Sequence, residues 1–316
     1  MTKRYQNISK KNNISYSNYQ DDYGIVIETS SNKASILYQD SIKEYPLSKT
    51  LPYICNKILY PGDKVIISNQ EISGIIKRKN ILSRQKKDST SIKEITTNKI
   101  IATNIDLAII VVSAQEPALH PKFIDRYIIL LKSNNIPFII CLNKADLLTK
   151  KESNIISIYH NLNIPLIKTS TYTKEGIQDL LNIIKNKQTI LVGHSGVGKS
   201  SLINTLLNNH LTKIGNINHH KGRHTTTKSK YYKIDNYTGI IDTPGIRSLD
   251  LSTYNKADIK NYFLEFIPYN SLCKYPNCLH QNEPISSCKI KQLVTKGLIS
   301  KERYESYLKI IDELSS

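Results

Sequence analysis

Thr189-Ile-Leu-Val-Gly193-His194-Ser195-Gly196-Val197-Gly198-Lys199-Ser200-Ser201 decides the architecture: an apolar run, a G-x-x-x-x-G-K-S loop, then a segment with helical spacing. The glycines let the backbone curl until successive N–H groups point inward at phosphate oxygens. Lys199 brings a point charge toward the β- and γ-phosphates, and Ser200 brings a hydroxyl for Mg²⁺. The helix that follows adds its positive N-terminal end. The chain has only 12 glycines in 316 residues, and three lie between 193 and 198. Residues 193–201 therefore read as a phosphate loop set between a buried strand and a helix.

Working outward, Leu107–Val112, Pro137–Leu142 and Gly239–Ile241 are apolar runs of the kind buried in a parallel sheet. Phe123–Ser133, Gly176–Lys185 and Ser200–Asn208 repeat apolar residues at helical spacing. Strands alternating with helices predict a doubly wound α/β domain, which binds ligands at the carboxyl ends of its strands. Two more motifs fall at such ends. Asp242-Thr-Pro-Gly245 places a carboxylate for Mg²⁺ and a glycine amide for the γ-phosphate. Asn143-Lys144-Ala145-Asp146 ends the run Pro137–Leu142. There Asp146 can accept from guanine N1–H and its amino group, Lys144 can lie along the base, and Asn143 can organise the loop. Adenine offers no such donors and would leave the carboxylate unpaired. Ser170 and Thr171, at the next strand end, could offer a backbone N–H to guanine O6. Between the two phosphate motifs, Lys221-Gly-Arg-His224-Thr225-Thr226-Thr227 supplies a second Mg²⁺ hydroxyl, with Thr226 preferred to Thr225.

The base-reading motif precedes the phosphate loop, the reverse of the ordinary order. A parallel sheet can be cut and rejoined without changing its pocket if its ends lie close together. The sequence thus predicts a circularly permuted P-loop GTPase domain over residues 98–255.

The flanks differ. Residues 1–20 read as a flexible basic tail. Short β runs at Gly24–Thr29, Lys33–Tyr38, Lys64–Ser68 and Ser73–Ile76, with a turn at Pro61-Gly62-Asp63, predict an OB-fold barrel over 21–82. Six cations fall between Lys77 and Lys87, and 83–97 reads as a basic linker. These cations are either a solvated face or a nucleic-acid contact. After 256, Cys273-x4-Cys278-x-His280-x7-Cys288 has the spacing of a closed tetrahedral Zn²⁺ site in a small helical domain. Cys55 and Cys141 sit in apolar runs and read as core.

Lys and Arg number 44 against 26 Asp and Glu, a net charge of +18 that suits a polyanionic partner. No apolar stretch is long enough to span a membrane, and the opening Met1-Thr-Lys-Arg-Tyr-Gln-Asn, which lacks an apolar core followed by a cleavage site, argues against a secretory signal. Five cysteines, an odd number, argue against a disulfide framework.

Taken together, these motifs resemble the ribosome small-subunit-dependent GTPase A family, RsgA or YjeQ, from Gly24 onward. The features that carry the likeness are the barrel, Asn143–Asp146 ahead of Gly193–Ser201, the Gly222–Thr227 run, Asp242–Gly245, the Cys/His cluster and a closing helix around Lys301–Leu308. The resemblance implies a monomeric cytoplasmic enzyme, or an organellar one. It would bind the small ribosomal subunit and its rRNA late in maturation and hydrolyse GTP to GDP with stimulation by that subunit, using Mg²⁺ and one structural Zn²⁺. His194 departs from the polar amide usual there. Ile246 stands where many GTPases carry a water-orienting Gln, which leaves His224 as the candidate to position water, beside Lys199 and Thr226. Alternatively His224 contacts phosphate or RNA, or shapes its loop. Two other readings are a GTP-dependent RNA-binding module with negligible hydrolysis and a permuted GTPase serving the large subunit.

Overall fold

The computed structural model describes residues 23–30, 32–39, 41–48, 58–87, 96–214, 230–235, 237–242 and 251–314. The tail 1–20, Cys55, the stretch 221–227 with His224 and Thr226, and Gly245 lie outside them. The chain divides into two compact units at Arg78/Lys79.

The first unit is an antiparallel barrel of the OB type. Strands β1 (Gly24–Thr29), β2 (Lys33–Tyr38), β3 (Ser41–Pro46), β4 (Lys64–Ser68) and β5 (Glu71–Ile75) lie in the order β3-β2-β1-β4-β5. A bridge from Leu47 to Ile72 brings the two outer strands together. Val26, Ala34, Ile36, Val65 and Ile72 fill the inside, as period-two alternation requires. Strand β3 was not apparent in the sequence, because Ser41-Ile-Lys-Glu-Tyr-Pro is exposed or half-buried throughout and carries no apolar stripe. Asp63 is fully buried at the barrel's end. Arg78 donates to it twice, from Nε at 2.7 Å and Nη2 at 2.9 Å, and Tyr60 N–H donates at 2.9 Å.

In the second unit, β8 (Leu107–Ser113), β9 (Phe138–Asn143), β10 (Leu166–Lys168), β11 (Gln188–Val192), β12 (Lys230–Lys233) and β13 (Gly239–Asp242) form one sheet, in the order β10-β9-β8-β11-β13-β12. All pairings are parallel except β12 with β13. Every residue of β8 and β11 is buried, which explains why both read as unbroken apolar runs. Helices α1 (Pro121–Ser133), α2 (Lys150–Asn161), α3 (Ile177–Ile184) and α4 (Lys199–Ile214) connect them. Pro121 starts α1, where its missing N–H costs nothing, and Ile124, Ile128 and Leu131 turn inward. After the sheet come α5 (Lys256–Ile259), α6 (Lys289–Thr295) and α7 (Lys301–Glu313), with short 3₁₀ turns between them. No helix among the described residues is long and apolar enough to cross a membrane.

Two expected boundaries differ. Residues 83–97 do not form a continuous linker: β6 (Ile81–Lys87) pairs antiparallel with β7 (Thr96–Thr103), and both belong to the second unit. A strand with the sequence Ser-Arg-Gln-Lys-Lys beyond Leu82 presents no periodic apolar signal. Nor does 256–316 separate as its own compact unit, because α7 packs along α1.

Candidate functional site

The parallel pairing turns the carboxyl ends of β9, β8, β11 and β13 to one edge of the sheet. That edge collects Asn143, Ser113, Val192 and Asp242, so motifs distant in sequence become neighbours. Asp242 is buried at the end of β13.

The phosphate loop is held from the base-reading loop. Buried Asn143 donates from Nδ2 to the Val197 carbonyl at 3.0 Å and accepts from Thr169 Oγ1 at 3.3 Å. Gly198 has φ +90°, and a Cβ there would meet Asn143 Nδ2 at 2.4 Å. Both the conformation and the contact therefore require glycine. Gly193 lies so close to β8 that a Cβ would meet the Val111 carbonyl oxygen at 2.3 Å. Lys199 Nζ spans the loop, donating to the carbonyls of Gly193 (2.7 Å) and His194 (2.8 Å). Ser195, Gly196, Ser200 and Ser201 are exposed on the rim, whereas Val197 is buried in the core of the sheet.

The base loop pairs with the 169–171 loop: Ala145 N–H donates to the Thr169 carbonyl at 3.0 Å. Ser170 is buried, and its Oγ accepts from the N–H groups of Tyr172 (3.2 Å) and Thr173 (3.0 Å), which fixes the turn that carries Thr171. Lys144 sits at φ +55° and donates to the Glu116 carbonyl. Asp146 is exposed, so its carboxylate is open to a ligand.

The 114–123 segment went unnoticed in the sequence. The Phe123 ring lies 5.2 Å from that of His194, and Pro117 Cδ is 3.4 Å from a Cβ built on Gly196. The departure at His194 thus has a partner on α1.

The Cys/His cluster assembles as its spacing predicted. Ligand atoms of Cys273, Cys278, His280 and Cys288 all lie within 4.8 Å of one another. His280 Nδ1 is 3.6, 3.2 and 3.4 Å from the sulfurs of Cys273, Cys278 and Cys288. A tetrahedron with Zn–S of about 2.3 Å and Zn–N of about 2.0 Å has S···N edges near ~3.5 Å, so these four residues fit that ion. His280 Nε2 faces Asn270 Oδ1 at 3.0 Å, which keeps its proton there and frees Nδ1 for a metal. Burial, with Lys260 nearby, pushes the imidazole down to about 4, the neutral form a metal needs. Lys289 N–H donates to Cys273 Sγ at 3.3 Å. Nothing in the sequence marked Asn270.

A buried ionic group joins this C-terminal segment to the sheet. Arg303 on α7 donates to Asp125 on α1 and to both oxygens of Glu265, from Nε at 2.7 Å and Nη2 at 3.0 Å. Tyr159 of α2 donates to Asp125 at 2.7 Å, and Ser306 also donates to it.

A parallel sheet carrying these loops in exchanged order defines a circularly permuted P-loop GTPase. The chain belongs to the RsgA GTPase family, whose model matches residues 75–252. It is 40% identical over 266 residues to the small ribosomal subunit biogenesis GTPase RsgA of Borreliella burgdorferi, covering 82% of this chain and 83% of that protein. It is 36% identical over 214 residues to the protein of the same name from Caldanaerobacter subterraneus, covering 67% and 72%. Among solved structures, YjeQ from Thermotoga maritima superposes with a TM-score of 0.72 at 28% identity, covering 93% of this chain and 99% of that one. The circularly permuted GTPase YloQ shares the fold, with a TM-score of 0.67 at 24% identity over 94% of this chain and 96% of that one.

Proposed function

We propose that the protein hydrolyses GTP to GDP and phosphate while bound to the small ribosomal subunit and its rRNA late in that subunit's maturation. The observation that carries the reading is the Asn143–Val197 hydrogen bond, which welds a guanine-reading loop to a phosphate loop. The relatives' names supply the ribosomal context.

Asp146 accepts from the guanine N1–H and amino group, Lys144 covers the base, and the 170–171 turn meets O6. Backbone N–H groups of 193–198 wrap the phosphates, and Lys199 leaves its loop carbonyls for the β- and γ-oxygens. Mg²⁺, when bound, neutralises charge developing between those oxygens. Ser200 and Thr226 would hold it, with Asp242 reaching it through water. Gly245 would approach the γ-phosphate, and His224 would orient the attacking water. Cys273, Cys278, His280 and Cys288 would hold one structural Zn²⁺, leaving no open position for catalysis. The barrel over 21–82 would contact RNA. The protein would act as a monomer in the cytoplasm.

Turnover measured with and without purified small subunits tests this. Strong stimulation by small subunits, absent with large ones and lost in Lys199→Ala, is expected. GTP binding without turnover under both conditions would favour a binding module, and stimulation by large subunits would redirect the reading.

A further inference from the structure

At the end of the sheet opposite the phosphate loop, a groove of about 630 Å³ opens between the amino ends of β9 and β10 and the first turns of the C-terminal segment. Helices α1 and α2 end there in the same way. Asn135 and Asn163 both take left-handed conformations, with φ +54° and +55°, before the chain enters the next strand. Each donates its backbone N–H to the carbonyl three residues earlier, Asn135 to Lys132 at 3.0 Å and Asn163 to His160 at 2.9 Å. Both side chains are exposed, and their amides bond to no described residue. The facing wall brings a third amide, Asn261, and the half-buried ring of Tyr262, which stands edge-on to Tyr254 at 6.3 Å.

Lys132 lines the same groove, and its ammonium has no hydrogen-bond or ion-pair partner among the described residues. Partial burial pushes its ammonium below the ordinary lysine range. Lys132 stands in the last turn of α1, where the carbonyl end of the helix favours a cation, and no carboxylate pairs with it among the described residues. The groove thus offers a positive charge with no carboxylate paired to it, two amides bonded to no described residue, a third (Asn261) whose oxygen accepts from Asn270 at 3.5 Å, and one aromatic ring. That set matches the three parts of a nucleotide: phosphate to ammonium, base edge to amide, base face to ring. The volume falls within the range of about 300–1,000 Å³ that holds small ligands, room for a base and its sugar-phosphate. A duplex hides its base faces and Watson–Crick edges, whereas a splayed single strand presents them.

We propose that this groove binds an unstacked nucleotide of single-stranded RNA, with Lys132 on its phosphate and Tyr262 against its base. The proposal rests on the reading that the protein works on rRNA and adds a contact distinct from both the GTP pocket and the barrel. Because its walls come from the sheet domain and from the 261–264 turn, an RNA strand seated there would hold the C-terminal segment against the sheet.

The probe is a ten-nucleotide single-stranded RNA carrying one 4-thiouridine, photocross-linked to the full chain, with cross-linked peptides mapped by mass spectrometry. Cross-links are expected on peptides containing 132–138 or 261–264. Lys132→Gln and Tyr262→Leu should each reduce their yield at least about fivefold, with Lys132→Arg and Tyr262→Phe restoring it and barrel cross-links unchanged. The same sequence as a duplex should give none at the groove. Cross-links confined to residues before 79, or yields indifferent to the Lys132 pair, would overturn the proposal. So would full competition by millimolar nucleoside monophosphate, which would mark a mononucleotide pocket instead. GTP turnover and its stimulation by small subunits are measured on the same preparations. Normal stimulation without groove cross-links sinks only this site, whereas groove cross-links without turnover sink only the GTPase reading.

Discussion

Asn143 and Val197 stand 54 positions apart in sequence and are joined by a 3.0 Å hydrogen bond, from the Asn143 amide to the Val197 carbonyl. The donor ends a strand, and the acceptor sits mid-way through the phosphate loop. The same amide's oxygen accepts from Thr169, so one side chain ties three loops together. Permutation reversed the order of these loops along the chain without separating them.

Asn143→Ala should therefore loosen the phosphate loop as well as the base loop. It leaves the buried Val197 carbonyl without its donor and removes one of the two contacts of the Thr169 hydroxyl, the other being Cys141 Sγ at 3.2 Å, a loss of about 1–3 kcal/mol. Affinity for GTP and GDP should fall together by roughly 5- to 100-fold. Calorimetric titration of both nucleotides checks this, and an effect confined to one of them would contradict it.

Asp146→Asn should change which base is accepted, not only how tightly. An amide presents a donor where xanthine carries a carbonyl in place of guanine's amino group. Preference for guanosine over xanthosine triphosphate should drop by about 10-fold or more, on the scale of one mispaired polar group. Competition between the two nucleotides is the measurement.

The sheet was legible because its central strands are buried on both faces, and such strands write continuous apolar runs: Leu107–Ser113 and Gln188–Val192 carry no exposed residue. The motifs whose loops meet at Asn143 and Val197 stood out because phosphate and guanine chemistry admit few residue types at fixed spacing. Peripheral strands were not. Ser41–Pro46 lacks an apolar stripe, and Ile81–Lys87 is mostly polar beyond Leu82. Arg303 was missed for a different reason. Its partners Asp125, Tyr159 and Glu265 come from three other segments, and no local pattern links them.

Zinc should be found at one atom per chain, and Cys278→Ser should lose it. Cys278 and Cys288 are buried, and Tyr304 donates to the His280 carbonyl at 2.7 Å, so the ligand loop is bonded directly to α7. Removing the ion should unravel 273–288 first and leave GTP binding within about twofold. Elemental analysis and nucleotide titration of the chelated protein test both parts, and full zinc occupancy in Cys278→Ser would refute the ligand assignment.

The basic run beginning at Lys77 divides by role. Arg78 is committed to buried Asp63, and Lys79 pairs with Asp106 at 2.6 Å. Lys77 is exposed. Lys77→Ala should lower the slope of log affinity for RNA against log salt by about 1 without affecting stability. Arg78→Ala should instead destabilise the barrel by about 3–5 kcal/mol, because it strands a buried carboxylate. Equal changes in salt slope with no loss of stability would show that Arg78 serves RNA.

The joint between the C-terminal helix and the sheet should respond asymmetrically to its two signs of charge. Arg303 is the largest fully buried side chain among the described residues, and it serves two carboxylates, Asp125 and Glu265, while lying 4.5 Å over the Phe263 ring. The trio holds one more negative charge than positive. Burial pushes the Asp125 carboxyl up against the opposing pull of Arg303, and Arg303 itself is held above its ordinary range by the two acids. Arg303→Met would leave both carboxylates in the interior without a counter-charge, a loss of about 3–5 kcal/mol. Asp125→Asn removes only the excess charge. With its amide oxygen on the side of Tyr159 and Arg303, its NH2 donates to the Ser306 hydroxyl, and Arg303 keeps its bidentate pair with Glu265. That variant should cost no more than about 1–2 kcal/mol. Urea denaturation of the two variants measures the difference, and equal losses would mean that Asp125, not the Arg303–Glu265 pair, holds the joint together.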